Sequence, residues 1–401
     1  MLLLEATEAS PSATRNLTVP MRFLVIGAGK QGSACALDLL LQPQVTKVIL
    51  TDKVVDRLPD FLDPYDPRLE VRQLDLKDEP AVRAAMEGVQ SVLSAAPYYF
   101  NADLARWAIE AGAHFADLGG NTEIVFQQKE LLEKAKAKGI TVVPDCGVAP
   151  GMVNILAQYG IEQMDSVDSV RIYVGGLPQN PEPPLNYQIV YSLEGVLDYY
   201  TTLSWVVRDG KRAQVTALSE RESIDFPKPA GELEAFHTAG GLSTMAWRYE
   251  GKIPTMEYKT LRYPGHAEKM EMIRELGLLD LEPVDVKGTK VIPRDVFVNV
   301  VGPKLTKPKG KDLLVLRVEV TGKKGGKPAT RRFDLIDKYD EEHGISAMMR
   351  TTGYSLSITG QFQASGKVTP PGVWTPDECM PARDYIEELR KRGMDLKESN
   401  G

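Results

Sequence analysis

The tightest constraint on the fold is a run of glycines, Gly27-Ala28-Gly29-Lys30-Gln31-Gly32, lying between two segments of different hydrophobic period. Before it comes Met21-Arg22-Phe23-Leu24-Val25-Ile26, apolar and short enough for a buried strand. After it, Ser33 to Leu41 reads as a helix. A second β-rich run, Val45 to Thr51, ends on Asp52, about 20 residues past the last glycine, where a nucleotide-binding βαβ unit places an acidic residue. Gly27 permits the tight strand-to-helix turn, Gly29 presents no Cβ to a diphosphate, and Gly32 lets helix and strand pack closely. Lys30 and Gln31 open the helix, whose free N–H groups attract phosphate. Asp52 is expected to accept hydrogen bonds from the adenosine ribose, and a 2′-phosphate would meet its charge. NAD is therefore expected ahead of NADP, although Lys53 and Arg57 soften the repulsion.

Strand-like and helix-like segments keep alternating to about Gly151. Further strands are expected at 69–74, 91–96, 113–118 and 140–143, with helices after Asp78, Asn101 and Asn121. Six strands with intervening helices predict an α/β fold with a Rossmann-type doubly wound parallel sheet and ligands at the carboxyl ends of its strands. Those ends carry Gly27, Asp52, Asp75 (beside the adenine), Ala96-Pro97, Asp117 and Asp145. Beyond Gly151 the pattern shifts, and Asp312 to Val320 alternates in its second half as a half-buried strand does. Residues 152–344 are thus expected to form a second α+β domain on a mostly antiparallel sheet, for substrate binding and dimerisation. Residues 21–151 and about 345–401 would make the nucleotide-binding domain with returning C-terminal helices. Residues 1–20 read as a flexible extension, with Met21 as a possible native start.

At 401 residues the chain is too long for one ordinary core. Its net charge of -7 argues against nucleic acid or an anionic membrane as partner. No apolar run approaches the roughly 18 residues that span a bilayer. Cys35, Cys146 and Cys379 cannot all pair and lack metal-ligand spacing, so no metal and a reduced cytoplasm are expected. Asn16-Leu17-Thr18 is a sequon that would stay idle there.

Three phrases in the expected second domain are too unusual for plain scaffold: Tyr191-Ser192-Leu193-Glu194-Gly195, the stretch Ala235 to Thr244 (AFHTAGGLST), and Lys259 to Lys269 (KTLRYPGHAEK). Together with Pro144 to Ala157 (PDCGVAPGMVNILA), they make the chain resemble the saccharopine dehydrogenase superfamily, and within it the lysine 6-dehydrogenases, from Met21 almost to the C-terminus. The resemblance implies a homodimer or higher oligomer with its active site in a cleft between two domains. It also implies NAD-dependent oxidation of the ε-amine of L-lysine to 2-aminoadipate 6-semialdehyde, which cyclises to 1-piperideine-6-carboxylate, with release of ammonia and NADH. Saccharopine-forming members typically carry an arginine where Glu194 stands. A glutamate there would repel saccharopine's extra carboxylates and attract an ammonium, unless it is a solvated surface charge. Two other readings stay open: a saccharopine dehydrogenase acting on a secondary amine, and a non-catalytic NAD-binding sensor.

The implied reaction sets physical demands. The amine must lose its proton before hydride leaves, since an ammonium has no lone pair to push. His237 is the first candidate for that transfer, with Asp145 and Asp117 as rivals, because histidine titrates near working pH. The substrate's α-carboxylate needs a cation, for which planar, always-charged Arg262 is preferred over Lys269. Thr238 and Thr244 are expected to add hydroxyl contacts, and His266 to support the substrate loop. The plainer alternatives are a hydrogen-bonded structural role for His237, an ion pair between Arg262 and Glu268, and packing roles for Cys146 and Arg350.

Overall fold

The computed structural model describes residues 21–307 and 310–401; the expected extension at residues 1–20 lies outside the described residues. Strands β1 (Met21–Ile26), β2 (Val45–Asp52), β3 (Leu69–Gln73), β4 (Ser91–Ser94), β5 (His114–Asp117) and β6 (Thr141–Val143) pair in parallel in the order β3-β2-β1-β4-β5-β6. The order reverses between β1 and β4, which opens a crevice at their carboxyl ends. Both faces of this sheet are buried, which is why β1 reads as an unbroken apolar run from Phe23 to Ile26. Phe23 and Val25 pack with Leu93 on the side of the helices Lys30–Leu40 and Ala347–Ala364. Leu24 and Ile26 pack with Val92, Leu104 and Trp107, the last two from the helix Asn101–Ala111. Each such side chain contributes about 1.5–3 kcal/mol by leaving water.

Asn121 caps a helix as expected, its Oδ1 accepting the amides of Glu123 and Ile124. The long helix read after it is two shorter ones, Thr122–Lys129 and Leu132–Lys138.

The second sheet contains β7 (Ser166–Pro178), β8 (Ser204–Arg208), β9 (Lys211–Val215), β10 (Glu222–Asp225), β11 (Glu232–His237) and β12 (Thr255–Arg262). A separate hairpin, β13 (Val284–Val286) and β14 (Thr289–Val291), precedes the long β15 (Asp312–Lys324) and β16 (Lys327–Lys338). The chain then returns: β17 (Gly372–Val373) extends the parallel sheet beside β6, and β18 (Lys397–Asn400) pairs with β16. Two residues are too few to show a period, so β17 left no trace in the sequence pattern. The order of the second sheet is β10-β11-β12-β7-β15-β16-β18, with β8 on β12 and β9 on β8. Its pairs are antiparallel except β7 with β12, making it a mixed sheet.

One helix joins the two sheets. Asp312, at the start of β15, accepts the amides of Ala347 and Met348 at 2.7 and 3.0 Å, fixing the N-terminus of Ala347–Ala364. That helix lies so close to Lys30–Leu40 that a Cβ on Gly353 would come 2.7 Å from the Gln31 carbonyl oxygen. No helix among the described residues is long and apolar enough to cross a membrane.

Candidate active site

The glycine turn has the shape its spacing predicts. Gly27 has φ +98°, and a Cβ there would sit 2.9 Å from the Ala95 carbonyl oxygen at the end of β4. A Cβ on Gly32 would meet the Gly27 carbonyl oxygen at 1.8 Å, whereas one on Gly29 would point into open space. Gly29 also precedes the helix with no side-chain cap, so the first amides, at Lys30 and Gln31, face that opening unclaimed. Ala96 and Pro97 lead away from β4 beside Gly27. Gln31 is half-buried, and both polar atoms of its side-chain amide lack a partner among the described residues. An uncapped helix start, an open glycine face and an orphaned amide fit a dinucleotide diphosphate.

Asp52 is already engaged. Its Oδ2 accepts the Ala28 amide at 2.7 Å and its Oδ1 the Val54 amide at 3.3 Å, so the carboxylate braces the turn. Lys53 and Arg57 beside it are exposed and pair with Asp75, half-buried, and Asp60, exposed, each at 3.1 Å. Lys53 and the Lys77 amide lower the pKa of Asp75, the amide contributing more.

The cavity of about 200 Å³ next to Gln31 is walled by both sheets. Gly119, Gly120 and Gly147 come from the parallel sheet's edge, while Tyr191, Tyr199, Tyr258, Thr260 and Arg262 come from the second unit. Tyr258, Thr260 and Arg262 share a face because alternate residues of β12 point the same way. Arg262 is buried, and no carboxylate among the described residues lies within ion-pair distance of it; Glu268 is not its partner. Its Nε donates to Tyr200 Oη at 3.2 Å, its Nη1 to the Leu261 carbonyl at 2.8 Å, and its guanidinium lies 4.9 Å from the Tyr187 ring centre. Glu234, its cross-strand neighbour, gives its two oxygens to the amides of Gly265 and Ala267 instead. His266 stands behind Tyr200, 3.0 Å from its hydroxyl, and burial followed by the Arg262 charge pushes its pKa down to about 3.

Two aspartates meet behind the glycine wall. Asp117 is saturated: Oδ1 accepts the Gly119 and Asp145 amides at 2.7 and 3.3 Å, and Oδ2 the Gln128 side chain at 2.7 Å. Burial raises it to about 6 against those bonds. Asp145 is different. It sits in the left-handed region at φ +62°, a strained conformation for a non-glycine residue. Its Oδ2 accepts the hydroxyl of Ser243, itself at φ +51°, while Oδ1 is buried with no hydrogen-bond partner among the described residues. Burial raises its pKa to about 7, the Ser243 bond opposing and the Asp117 charge assisting. Only the missing Cβ of Gly119 makes room for that oxygen.

The remaining candidates lie elsewhere. His237 is fully buried but projects from the opposite face of the sheet, in register with Lys259. Its Nδ1 is 3.3 Å from the Tyr258 carbonyl and its Nε2 3.1 Å from Glu220. Burial lowers its pKa, the Glu220 bond opposing. Arg208 bridges Glu220 and Glu257 at 2.8 and 2.7 Å, Arg171 reaches Glu257 at 3.1 Å, and Lys259 pairs with Glu222 at 2.7 Å. Glu220, His237 and Glu257 bring three ligand-type atoms together, but the Arg208 guanidinium already supplies the positive charge between the carboxylates. Glu194 is exposed in the first turn of the helix Leu193–Thr201 and does not line the cavity. Thr238 is bonded to Thr260 at 2.7 Å, on the cavity side of the sheet, while Thr244 is buried outside the lining. Arg350 pairs with Asp337 and Asp340 and packs its helix. Tyr200, Tyr258 and Ser243 escaped the sequence reading. Period-two alternation back from Arg262 would have found Tyr258.

Residues 23–143 match the family model of the saccharopine dehydrogenase NADP binding domain, and residues 147–394 that of the saccharopine dehydrogenase C-terminal domain. The chain is 23% identical over 452 residues to saccharopine dehydrogenase (NADP(+), L-glutamate-forming) of Schizosaccharomyces pombe, covering 94% of this chain and 98% of the relative. The enzyme of the same description from Pyricularia oryzae is 27% identical over 406 residues, covering 81% and 87%. The apo saccharopine dehydrogenase (L-Glu forming) of Saccharomyces cerevisiae has the same fold, with a TM-score of 0.77 at 20% identity over 95% of this chain and all of that one. The chain belongs to the saccharopine dehydrogenase family and is an oxidoreductase of that family. The expected preference for NAD is overturned, because the matching domain is an NADP-binding one and both relatives carry NADP(+) in their descriptions. The structure is compatible with that correction, since Asp52 is engaged with the turn and Lys53 and Arg57 are exposed cations beside it.

Proposed function

We propose that this family member is an NADP-dependent dehydrogenase of an amine carried by an amino acid with a single carboxylate to neutralise, L-lysine at its ε-nitrogen. One observation carries the reading: the cavity lining holds one buried cation, Arg262, with no carboxylate paired to it. Lysine presents one carboxylate, and a buried guanidinium without a counterion gains most from meeting one. Saccharopine presents three, and the lining holds no second cation for the other two. The saccharopine reading keeps support from the descriptions of both relatives.

NADP⁺, when bound, supplies the hydride acceptor. In this reading the uncapped amides at Lys30 and Gln31 hold its diphosphate and the exposed Lys53 and Arg57 its 2′-phosphate. Residues 152–344 form the substrate side, where Arg262 binds the α-carboxylate and so sets how far along the cavity the amine lies. Tyr191, Tyr199 and Tyr258 exclude water from the reacting carbon. Asp145, behind Gly119 with its Oδ1 unpaired among the described residues and a pKa near working pH, takes the proton from the substrate ammonium through an intervening water. Loss of hydride from Cε then leaves an imine, and water splits it to aldehyde and ammonia. Incubation with NADP⁺ and L-lysine alone tests the reading: NADPH and free ammonia are expected in equal amounts. Turnover with saccharopine only, or in reverse only with glutamate and 2-aminoadipate 6-semialdehyde, replaces lysine with saccharopine.

A further inference from the structure

We propose that Tyr200 and His266 form an uncharged hydrogen-bonded strut behind Arg262, holding its guanidinium as a fixed receptor for a carboxylate. The inference deepens the proposed function and rests on Arg262 being the carboxylate site. Each link has a direction set by chemistry. His266 Nδ1 lies 3.0 Å from the Leu185 carbonyl, which can only accept, so the ring hydrogen is on Nδ1. A neutral imidazole then has a bare lone pair on Nε2, and the Tyr200 hydroxyl, 3.0 Å away, donates to it. With its hydrogen committed there, Tyr200 Oη offers lone pairs to Arg262 Nε at 3.2 Å. All three residues are at least nine-tenths buried, at 1%, 1% and 4% exposure.

The choice of groups matters more than their number. A carboxylate would brace the arginine more strongly, but it would cancel the charge that a ligand needs. A phenol backed by an imidazole and a carbonyl fixes the guanidinium plane and leaves its charge intact. The Leu261 carbonyl takes Nη1, so Nη2 has no hydrogen-bond partner among the described residues and is left for the cavity. Tyr187 closes the opposite side, its ring edge-on to His266 with centres 5.4 Å apart. Tyr200 and His266 are positioning residues: neither lines the cavity.

The test is calorimetric titration of the NADP⁺-loaded protein with hexanoate, a monocarboxylate that lacks the amine. Hexanoate should bind the unaltered protein, and Tyr200→Phe should weaken binding about tenfold, the loss of one hydrogen bond to a charged group. Affinity for NADP⁺ and the melting temperature should stay close to the parent. His266→Gln, whose amide oxygen can stand in for Nε2, should retain hexanoate affinity, whereas His266→Leu should match Tyr200→Phe. Undiminished hexanoate binding in Tyr200→Phe overturns the strut, as does parallel loss of NADP⁺ affinity in the variants or failure of the parent to bind hexanoate. A strut that behaves as expected in a protein that does not oxidise lysine would remove lysine as substrate and leave the carboxylate receptor standing.

Discussion

Strand β12 divides two ways of burying charge. On one face Glu257 and Lys259 join Arg208, Arg171, Glu220 and Glu222 in a network that surrounds His237. On the other, Arg262 is buried to the same degree, with only a phenol, a carbonyl and an aromatic ring for company. The first face has met its own electrostatic needs, while the second has a deficit of one negative charge. Removing one partner from a closed network costs stability, because the other partner is left uncompensated. Removing the lone cation relieves a desolvation cost and takes away a binding site. The contrast teaches where to look for chemistry: at the charge the fold does not answer.

Arg262→Met carries the largest expected effect. The expected result is a loss of about 10³-fold in kcat/KM for the carboxylate substrate, the range seen when one member of a buried charge pair is truncated. The unliganded protein should melt no lower than the parent, since an apolar chain of similar shape replaces an unpaired cation. Strong destabilisation with near-normal KM would make Arg262 a scaffold residue.

Asp145→Asn should follow, with kcat down about 10²-fold, typical of a lost general base. The parent rate should rise with pH through about 7 as Asp145 ionises, and the variant should lose that rise. Stability should move the other way. A carboxyl whose pKa is raised on folding keeps its proton in the folded state while the unfolded chain has released it, so stability falls as pH climbs from about 4 through about 7. Asp145→Asn removes that loss, so its melting temperature should exceed the parent's by about 5 °C at pH 8 and by less at pH 5. An unchanged pH profile would pass proton transfer to Asp117 or to water.

His237→Ala probes the saturated face. It should cost about 2 kcal/mol of stability, by opening a cavity and leaving Glu220 without its imidazole partner, and leave kcat/KM within about threefold. Denaturant unfolding beside steady-state kinetics measures both. A large kinetic defect with intact stability would tie this face to the reaction.

The sequence made the nucleotide half legible because its signals are local: glycines at fixed spacing, an apolar strand before them and an acidic residue at the end of the next. It could not show that the Ala28 and Val54 amides engage the Asp52 carboxylate, because no spacing records such a contact. The substrate half was legible by phrase but not by geometry. His237 and Arg262 stand in neighbouring strands within two recognisable phrases, yet His237 pairs with Lys259, three residues before Arg262, and an odd offset puts them on opposite faces. Asp145 was visible as a strand end, but its unpaired oxygen depends on Gly119 and Ser243, far apart in the chain. Histidine chemistry suggested His237; strand register sends the question to Asp145.

Glu194→Arg carries the smallest expected effect and draws the finest line. The residue expected to separate this chain from the saccharopine-forming pattern is exposed in the first turn of Leu193–Thr201, behind the Ser192 cap that accepts the Gly195 amide at 3.3 Å. An acidic side chain there suits the positive end of the helix, worth about 0.3–1 kcal/mol. Tyr191, three residues earlier, lines the cavity, so Glu194 stands near the rim without reaching the wall. The variant should therefore shift KM for lysine by less than about threefold and lose a fraction of a kcal/mol in stability. If it instead raises KM tenfold or begins to oxidise saccharopine, the rim closes over the substrate during turnover. Selectivity would then belong to repulsion at the rim, with Arg262 as the anchor that any carboxylate can use.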